Sequence, residues 1–312
     1  MIIAVFPGQG SQTPGFLEPW LELDGARERL AGFSELAEVD LEAAGTKWDA
    51  DRIRDTRVAQ PLIVAASLLS WHALESRAPT LPHGVAGHSV GEIAALAAAG
   101  VLSDADGMRL VGIRGRAMAD AAASAQTGMS AVLGGDQDAV VARLAELDLT
   151  PANYNGGGQI VAAGAAAALV ALSETPPPAT RVIPLAVAGA FHTRFMAPAV
   201  ETLRAAAQAV APAAPARTLW TNHDGSVVTD GHAALELLVE QVASPVRWDL
   251  CMASFADHAV HGIIEFAPAG TLTGLAKRAL RGVPTVALKT PDDLDAAVAL
   301  LSTDNDTQGG AA

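Results

Sequence analysis

The segment Gly87-His88-Ser89-Val90-Gly91 most constrains how this 312-residue chain folds. Its serine has a glycine two positions away on each side. A short apolar segment, Val85-Ala86, precedes it, and residues 92–99 carry apolar side chains at helical spacing. Glycines on both sides let the backbone turn sharply, so the serine hydroxyl is exposed between the end of a strand and the start of a helix. A strand, a tight turn and a helix in this order predict an α/β fold with a parallel sheet.

Most of the chain continues this alternation of strand-length and helix-length apolar segments. The predicted strands are 2–6, 85–86, 218–220 and 262–266, and the predicted helices are 61–76, 92–99, 104–123, 196–210, 233–243, 249–259 and 272–280. We therefore expect a large α/β-hydrolase-like subdomain made of residues 1–125 and 190–301. Residues 302–312 are polar and end in Gly-Gly-Ala-Ala, which predicts a flexible tail.

Residues 126–189 have a different pattern. Predicted strands at 129–133, 150–154, 159–163 and 181–187 and predicted helices at 136–147 and 165–174 follow in the order βαββαβ. This order is that of a small ferredoxin-like unit. We expect it to form a separate subdomain inserted into the large one.

Charge and cysteine content exclude several classes of protein. The chain has 20 Lys and Arg against 34 Asp and Glu, a formal net charge of −14, which disfavours binding to nucleic acid or to an acidic membrane surface. Cys251 is the single cysteine, so neither an intramolecular disulfide nor a multi-thiolate metal site can form. The first six residues lack the basic region of a signal peptide. These features predict a cytoplasmic protein.

A serine hydroxyl needs a neighbouring base to act as a nucleophile. His88 adjoins Ser89 and diverges from it in a turn of this kind, so it is excluded as that base. His192 follows a predicted strand and a short turn and comes just before the helix predicted at 196, a position from which an imidazole can reach the serine. His192 is therefore the candidate general base.

Two loops offer backbone donors for a developing oxyanion. The N–H of Val90 follows the candidate nucleophile directly. The first predicted strand leads into Pro7-Gly8-Gln9-Gly10-Ser11-Gln12, which is not a dinucleotide-binding loop because Thr13 occupies the position of its third glycine. Gln9 is then a candidate for the second donor.

Arg114 is singled out by its neighbours. Gly112 and Gly115 flank it inside a predicted helix, where each glycine costs about 1 kcal/mol of helix stability. Two such costs indicate close packing, with the guanidinium facing a pocket. A planar guanidinium binds a carboxylate through two parallel hydrogen bonds.

Taken together, these segments resemble the malonyl-CoA:acyl carrier protein transacylases, a family that includes the acyltransferase domains of polyketide and fatty acid synthases. The resemblance covers nearly the whole chain. Its motifs are Pro7–Gln12, Gly87–Glu92, Arg114 in Gly-Ile-Arg-Gly, Asn153-Tyr154-Asn155 with Gly158-Gln159, Ala190-Phe191-His192, Gln241 ahead of Ser244–Trp248, and Thr271–Leu275.

The resemblance implies a role for each candidate residue. Ser89 would form the acyl-enzyme and His192 would be its base, with the imidazole oriented by the main-chain carbonyl of Gln241. The N–H groups of Gln9 and Val90 would form the oxyanion hole, and Arg114 would bind the free malonyl carboxylate. In this family a phenylalanine directly before the histidine is associated with malonyl specificity, so Phe191 favours malonyl.

The resemblance also implies partners. Malonyl-CoA would be a substrate, an acyl carrier protein would be the acceptor, and neither a cofactor nor a metal would be required. The absence of a coiled-coil pattern favours a monomer. For docking an acidic carrier protein we expect a basic rim on this acidic chain, formed by Lys277, Arg278, Arg281 and Arg194.

Three alternatives remain at this point. A serine esterase of the α/β-hydrolase type could complete a triad with Asp136 or Asp138, although such an enzyme has no use for Arg114. A non-catalytic module could bind a carrier protein without forming an acyl intermediate. A stand-alone polyketide acyltransferase could use an extender unit other than malonyl, against which Phe191 weighs.

Overall fold

Two sheets organise the part of the chain that the structure describes. This computed structural model describes the backbone of residues 1–309 and the side chains of residues 1–303. The strands are β1 (Ile2–Phe6), β2 (Gly84–Gly87), β3 (Thr127–Gly134), β4 (Thr150–Gly156), β5 (Gln159–Ala165), β6 (Thr180–Pro184), β7 (Thr218–Trp220), β8 (Val227–Val228), β9 (Gly262–Glu265) and β10 (Thr285–Ala287). The order is β10-β9-β1-β2-β7-β8 in the large sheet and β4-β5-β3-β6 in the small one.

The large sheet is parallel except at one edge, where β8 pairs antiparallel with β7. The helices are α1 (Ala26–Ala37), α2 (Leu41–Thr46), α3 (Ala50–Arg54), α4 (Thr56–Glu75), α5 (Gly91–Ala98), α6 (Asp104–Ala123), α7 (Gln137–Glu146), α8 (Ala166–Glu174), α9 (Ala197–Ala207), α10 (Gly231–Gln241), α11 (Trp248–Asp257), α12 (Thr271–Ala279) and α13 (Leu294–Gly309). Because β1 is central and wholly buried, each of its five side chains is apolar. Phe6 of β1 stacks on Phe266 with ring centroids 5.1 Å apart, and both contact Trp71 of α4.

The small sheet is antiparallel, and its elements follow the predicted order, β3-α7-β4-β5-α8-β6. It has its own apolar core, in which Val132 and Ile160 of the sheet meet Leu144 of α7 and Leu172 of α8. The backbone at Val246, between α10 and α11, attaches to the edge of the small sheet, because it pairs with β4 by donating to Ala152 and accepting from Tyr154.

The sequence did not predict β8 or β10, and several other segments also differ from its prediction. Helix α4 begins at Thr56 instead of residue 61, because the Asp55 side chain caps it by accepting from the N–H of Arg57, so Pro61 lies inside the helix. Strand β6 ends at Pro184 instead of residue 187. The Leu185 N–H still donates to the Met129 oxygen of β3, but the Val187 N–H donates to the oxygen of Leu185 instead of to the sheet. Helices α1 to α3 fill a stretch for which the sequence predicted no element.

The predicted flexible tail, 302–312, also differs. Helix α13 continues to Gly309, so the first eight of these positions have helical backbone, and positions 310–312 lie outside the described residues. Within the described residues, no helix combines the length and apolar character needed to cross a membrane.

Candidate active site

Ser89 lies on the sharp turn between β2 and α5, at the carboxyl end of the parallel sheet. Its φ is +54°, a strained conformation for a residue with a side chain, at a cost of about 1–3 kcal/mol. The flanking glycines are required sterically. A Cβ at Gly87 would lie 2.1 Å from the carbonyl carbon of Gly91, and one at Gly91 would lie 2.2 Å from the backbone oxygen of Phe6. The turn therefore tolerates only glycine on both sides of the serine.

His192 lies beside this serine. Its Nε2 is 2.8 Å from Ser89 Oγ, and its Nδ1 is 2.9 Å from the main-chain oxygen of Gln241. Because a carbonyl oxygen only accepts hydrogen bonds, Nδ1 carries the proton and Nε2 is free to accept the serine proton. The structure thus brings together the predicted nucleophile, the predicted base and the carbonyl that orients it.

Burial keeps the imidazole neutral. The loss of solvation lowers the pKa of His192 to about 3, with the nearby positive charge of Arg114 acting in the same direction. An imidazole with this pKa is unprotonated at neutral pH, which is the form that a general base requires.

Arg114 reaches the same site from α6. Its side chain is 1% exposed. The glycines beside it allow the close packing that the sequence predicted, because a Cβ at Gly112 would lie 2.7 Å from the Ala37 oxygen and one at Gly115 would lie 2.9 Å from the Thr56 oxygen. Helix α6 can therefore approach the end of α1 and the start of α4 closely enough to bury the guanidinium.

The guanidinium faces the nucleophile. Nη1 donates to Gln60 Oε1 at 2.7 Å, whereas Nη2 lies 3.3 Å from Gln241 Oε1 and 3.5 Å from Ser89 Oγ. Nε is buried and has no partner among the described residues. Burial lowers the pKa of Arg114 to about 10, partly offset by Glu92, so the side chain remains a cation at neutral pH. A buried cation held by neutral amides is suited to binding an anionic group.

The predicted oxyanion donors border the same cavity. Gln9 and Val90 both line it, and no described contact has their backbone N–H groups as donors. The Gln9 side chain is held away, because its Nε2 donates to the main-chain oxygen of Arg54 at 3.3 Å. This leaves the Gln9 backbone N–H as the group that can serve the cavity.

The cavity lies between the two sheets and has a volume of about 210 Å³. Its apolar wall comes from the small sheet, α6 and the segment 185–192, and includes Phe191, which is 6% exposed. A second cavity of about 320 Å³ shares Gln9, Leu185 and Val187 with it and opens beside α3. The site therefore combines a narrow inner chamber with an adjoining groove that can hold an elongated substrate.

The sequence did not predict two polar residues of the site. Gln60 accepts a hydrogen bond from Arg114, and Asn222 accepts one from the Ser89 N–H. Asn155, which belongs to the Asn153-Tyr154-Asn155 motif, accepts through Oδ1 from His88 Nε2 at 2.9 Å. Glu92 is buried, and desolvation raises the pKa of its carboxyl to about 8. One signal was available, since Gln60 interrupts the apolar segment 58–66 of α4 and Glu92 is the one charged residue of α5.

The four residues of the predicted basic rim are exposed. Arg194 forms a two-pronged ion pair with Asp148, at 3.1 and 2.5 Å, and both side chains are exposed to solvent. Lys277 and Arg278 lie in the last turn of α12 and are exposed, as is Arg281. The docking role of all four residues stays a prediction.

The esterase alternative fails on the third member of its triad. Asp136 caps helix α7 by accepting from the N–H of Ala139, and Asp138 is exposed in the first turn of that helix. The nitrogen of His192 that a triad carboxylate would hold is bonded to Gln241 instead. Among the described residues, no group of His, Cys, Asp and Glu side chains could hold a metal ion.

A serine on a strained elbow beside a neutral imidazole is an arrangement suited to acyl transfer. The fold and site therefore define an acyltransferase. The chain belongs to the acyl transferase domain family, whose family model matches residues 4–301.

Relatives and solved structures agree with this assignment. The chain is 54% identical to a malonyl CoA-acyl carrier protein transacylase of Mycobacterium tuberculosis over 297 residues, covering 95% of this chain and 98% of that protein. The crystal structure of MCAT from the same species superposes with a TM-score of 0.93 at 54% identity, covering 96% of this chain and 100% of that one. A malonyl-transacylase solved in complex with its type II PKS acyl-carrier protein gives 0.89 at 29% identity, covering 95% and 98%.

Proposed function

We propose that this enzyme transfers the malonyl group of malonyl-CoA to the phosphopantetheine thiol of an acyl carrier protein. The observation that carries the proposal is the buried guanidinium of Arg114, whose Nη2 lies 3.5 Å from Ser89 Oγ. A cation at this distance from the nucleophile selects an acyl group that ends in a carboxylate. The relatives named above, whose names specify malonyl CoA and acyl carrier protein, support the same substrates.

The first half-reaction forms an ester on Ser89. His192 Nε2 accepts the proton of Ser89 Oγ while Oγ bonds to the thioester carbonyl carbon, and the N–H groups of Gln9 and Val90 stabilise the resulting oxyanion. The carbon–sulfur bond then breaks, and His192 returns its proton to the CoA thiolate. The products are CoA and malonyl-Ser89.

The second half-reaction releases the acyl group. His192 takes the proton of the incoming phosphopantetheine thiol, the thiolate attacks the ester carbonyl, and the departing Ser89 oxygen regains the proton. CoA leaves before the carrier protein reacts, so the kinetics are ping-pong. No cofactor is required, because the CoA thioester supplies the activated acyl group.

Two residues select the acyl group. Arg114 binds the free carboxylate of malonyl through two parallel hydrogen bonds, in place of the weaker contact that its Nη2 makes with Ser89. Phe191 is buried in the cavity wall and limits the space beside the malonyl methylene. The family resemblance associates a phenylalanine here with malonyl, and the narrow inner cavity of about 210 Å³ supports that choice over branched extender units.

The carrier protein docks, in this proposal, on the rim formed by Lys277, Arg278, Arg281 and Arg194, which are exposed on an otherwise acidic chain. Arg278 packs beside the glycine loop between β4 and β5, where a Cβ at Gly157 would lie 3.2 Å from the Arg278 side chain. The rim is thus continuous with strands that line the cavity.

The proposal includes an architecture and a setting. Residues 1–125 and 190–301 form an α/β-hydrolase-like subdomain, and residues 126–189 form a ferredoxin-like one whose sheet closes over the nucleophile. We place the enzyme in the cytoplasm as a monomer. Size-exclusion chromatography with light scattering tests the monomeric state.

The substrate assignment is tested by intact-protein mass spectrometry after incubation with a mixture of malonyl-, methylmalonyl- and acetyl-CoA. The malonyl adduct is expected to predominate.

A further inference from the structure

We propose that Asn222 is a positioning residue that fixes the nucleophile turn and links it to the groups holding His192 and Arg114. Asn222 follows β7, which pairs with β2 in the sheet, so both strands deliver their following residues to the same edge. The side chain is fully buried and does not line the substrate cavity. Any effect it has on the reaction therefore acts through other residues.

The carboxamide of Asn222 holds the turn on both sides of His88. Oδ1 accepts the N–H of Ser89 at 2.7 Å, and Nδ2 donates to the main-chain oxygen of Gly87 at 2.6 Å. One side chain thus supplies the donor and the acceptor that two backbone groups of the turn need. Because the Ser89 N–H is occupied, the N–H of Val90 is the elbow donor left for an oxyanion.

A second branch connects this turn to the other catalytic groups. Asn222 Oδ1 also accepts from Gln241 Nε2 at 3.1 Å. The Gln241 side chain accepts from Arg114 through Oε1, and its main-chain oxygen accepts from His192 Nδ1. Gln241 is therefore shared by the base and the cation, and Asn222 ties it to the nucleophile.

Asn222 is itself held in place. Its N–H donates to Glu92 Oε1 at 2.8 Å, and its main-chain oxygen accepts from the N–H of Arg247 at 2.8 Å. Glu92 belongs to α5, the helix that the Ser89 turn begins. The backbone of Asn222 is therefore anchored through both its N–H and its carbonyl, and this permits the carboxamide to impose a position on the turn.

The inference rests on the proposed function, so the experiment uses two reagents for Ser89. Formation of the malonyl adduct from malonyl-CoA is timed by quenched-flow mass spectrometry, and reaction with a fluorophosphonate, which needs no thioester recognition, is timed in parallel. For Asn222→Ala we expect about 100-fold slower formation of both adducts, since small displacements of reacting groups cost this much. The final stoichiometry of labelling stays unchanged, because the variant keeps its fold and Ser89.

Cys251→Ala is the matched control. Its Sγ lies 3.8 Å from Asn222 Nδ2 and it is equally buried, yet the hydrogen bonds of the Asn222 carboxamide to Gly87, Ser89 and Gln241 do not need it. We expect Cys251→Ala to lower the Tm while both labelling rates stay within twofold of wild type.

Asn222→Asp provides a second readout, on a side chain of the same shape. A protonated Asp can still donate to the Gly87 oxygen, whereas an ionised one places a carboxylate against it. Burial next to Glu92 raises the pKa of such an Asp. Cys251 also contacts this side chain, and Gln241 lies between it and the charged guanidinium of Arg114. The labelling rate of Asn222→Asp should therefore rise as pH is lowered from 8 to 6, while the wild-type rate does not.

The outcomes are distinguishable. Fluorophosphonate labelling of Asn222→Ala within twofold of wild type overturns the positioning role, as does a pH profile of Asn222→Asp that parallels wild type. A lower final stoichiometry at an unchanged rate also overturns it, because that result indicates only a loss of folded protein. If wild type reacts with the fluorophosphonate but not with malonyl-CoA, the proposed substrate is wrong, and the fluorophosphonate rates alone decide the role of Asn222.

Discussion

The Nη2 atom of Arg114 lies 3.5 Å from the Oγ atom of Ser89, so a buried cation faces the nucleophile directly. The guanidinium also donates hydrogen bonds to the side-chain oxygens of Gln60 and Gln241, and both of these side chains are neutral. A carboxylate bound beside Ser89 would therefore lie next to a positive charge whose hydrogen-bond partners are neutral. The proposed selection of a dicarboxylic acyl group rests on this arrangement and leads to the first prediction.

Replacement of Arg114 by alanine should remove the selection for malonyl. We expect kcat/KM for malonyl-CoA to fall about 100-fold, because hydrogen bonds to a charged group contribute about 1.5–3 kcal/mol. Acetyl-CoA should react as well as in wild type or better. The control is Arg109→Ala on the same helix, since Arg109 is exposed and paired with Asp106. Unchanged discrimination between the two thioesters in Arg114→Ala would remove this residue from carboxylate binding.

The acylation rate should be nearly independent of pH from 5 to 8. Burial lowers the pKa of His192 to about 3, so the neutral base is present above that value and is lost only as pH falls through it. The measurement is kcat/KM for malonyl adduct formation in a series of buffers at constant ionic strength. A rate that falls tenfold between pH 7 and pH 6 would show that His192 titrates near its ordinary pKa.

Glu92→Gln should make stability less sensitive to pH. Burial raises the pKa of the Glu92 carboxyl to about 8, so the folded protein keeps a proton that the unfolded chain releases above its ordinary pKa of 4.5. The stability contributed by this group is then full below the unfolded pKa and is lost as pH rises through 8. Relative to wild type, Glu92→Gln should gain on the order of a few kcal/mol of unfolding free energy between pH 5 and pH 8.

Urea unfolding of both proteins at pH 5, 6.5 and 8 measures this difference. Glutamine keeps an oxygen for the N–H of Asn222, so the hydrogen bond at 2.8 Å is retained in the variant. The other titrating groups are common to both proteins and cancel. A difference in unfolding free energy that stays constant over this range would mean that Glu92 is ionised in the folded protein.

Charge reversal on α12 should weaken the reaction with the carrier protein and leave the reaction with malonyl-CoA unchanged. In Lys277→Glu with Arg278→Glu, we expect the KM for the carrier protein to rise about tenfold and its dependence on salt to weaken. Formation of the malonyl adduct from malonyl-CoA should not change, because neither residue lines the cavity. Arg109→Glu, an equal change on another surface, is the control. An unchanged carrier-protein KM would place the docking surface elsewhere.

Local patterns predicted much of the fold. The glycines around Ser89 specify a turn that only glycine tolerates, and the glycines beside Arg114 indicate the close helix packing that the structure shows. The sequence did not predict the helix start at Thr56. Proline commonly occupies the first position of a helix, so Pro61 indicated a start five residues after the one that the Asp55 cap sets.

The long-range partners were beyond sequence reasoning. Asn222 is 133 positions from Ser89, and Gln60 is 54 positions from Arg114, so their contacts depend on strand order and on the packing of α4 against α6. The pairing of Arg194 with Asp148 likewise joins residues 46 positions apart. No local pattern records such contacts, because a polar residue after a strand or inside an apolar helix has many possible partners.

The central claim is that Ser89 carries the malonyl group between CoA and the carrier protein. Intact-protein mass spectrometry after incubation of wild type and Ser89→Ala with malonyl-CoA tests it most directly. We predict one malonyl adduct on wild type, removed when carrier protein is added, and none on Ser89→Ala. A full-yield adduct on Ser89→Ala would contradict the account.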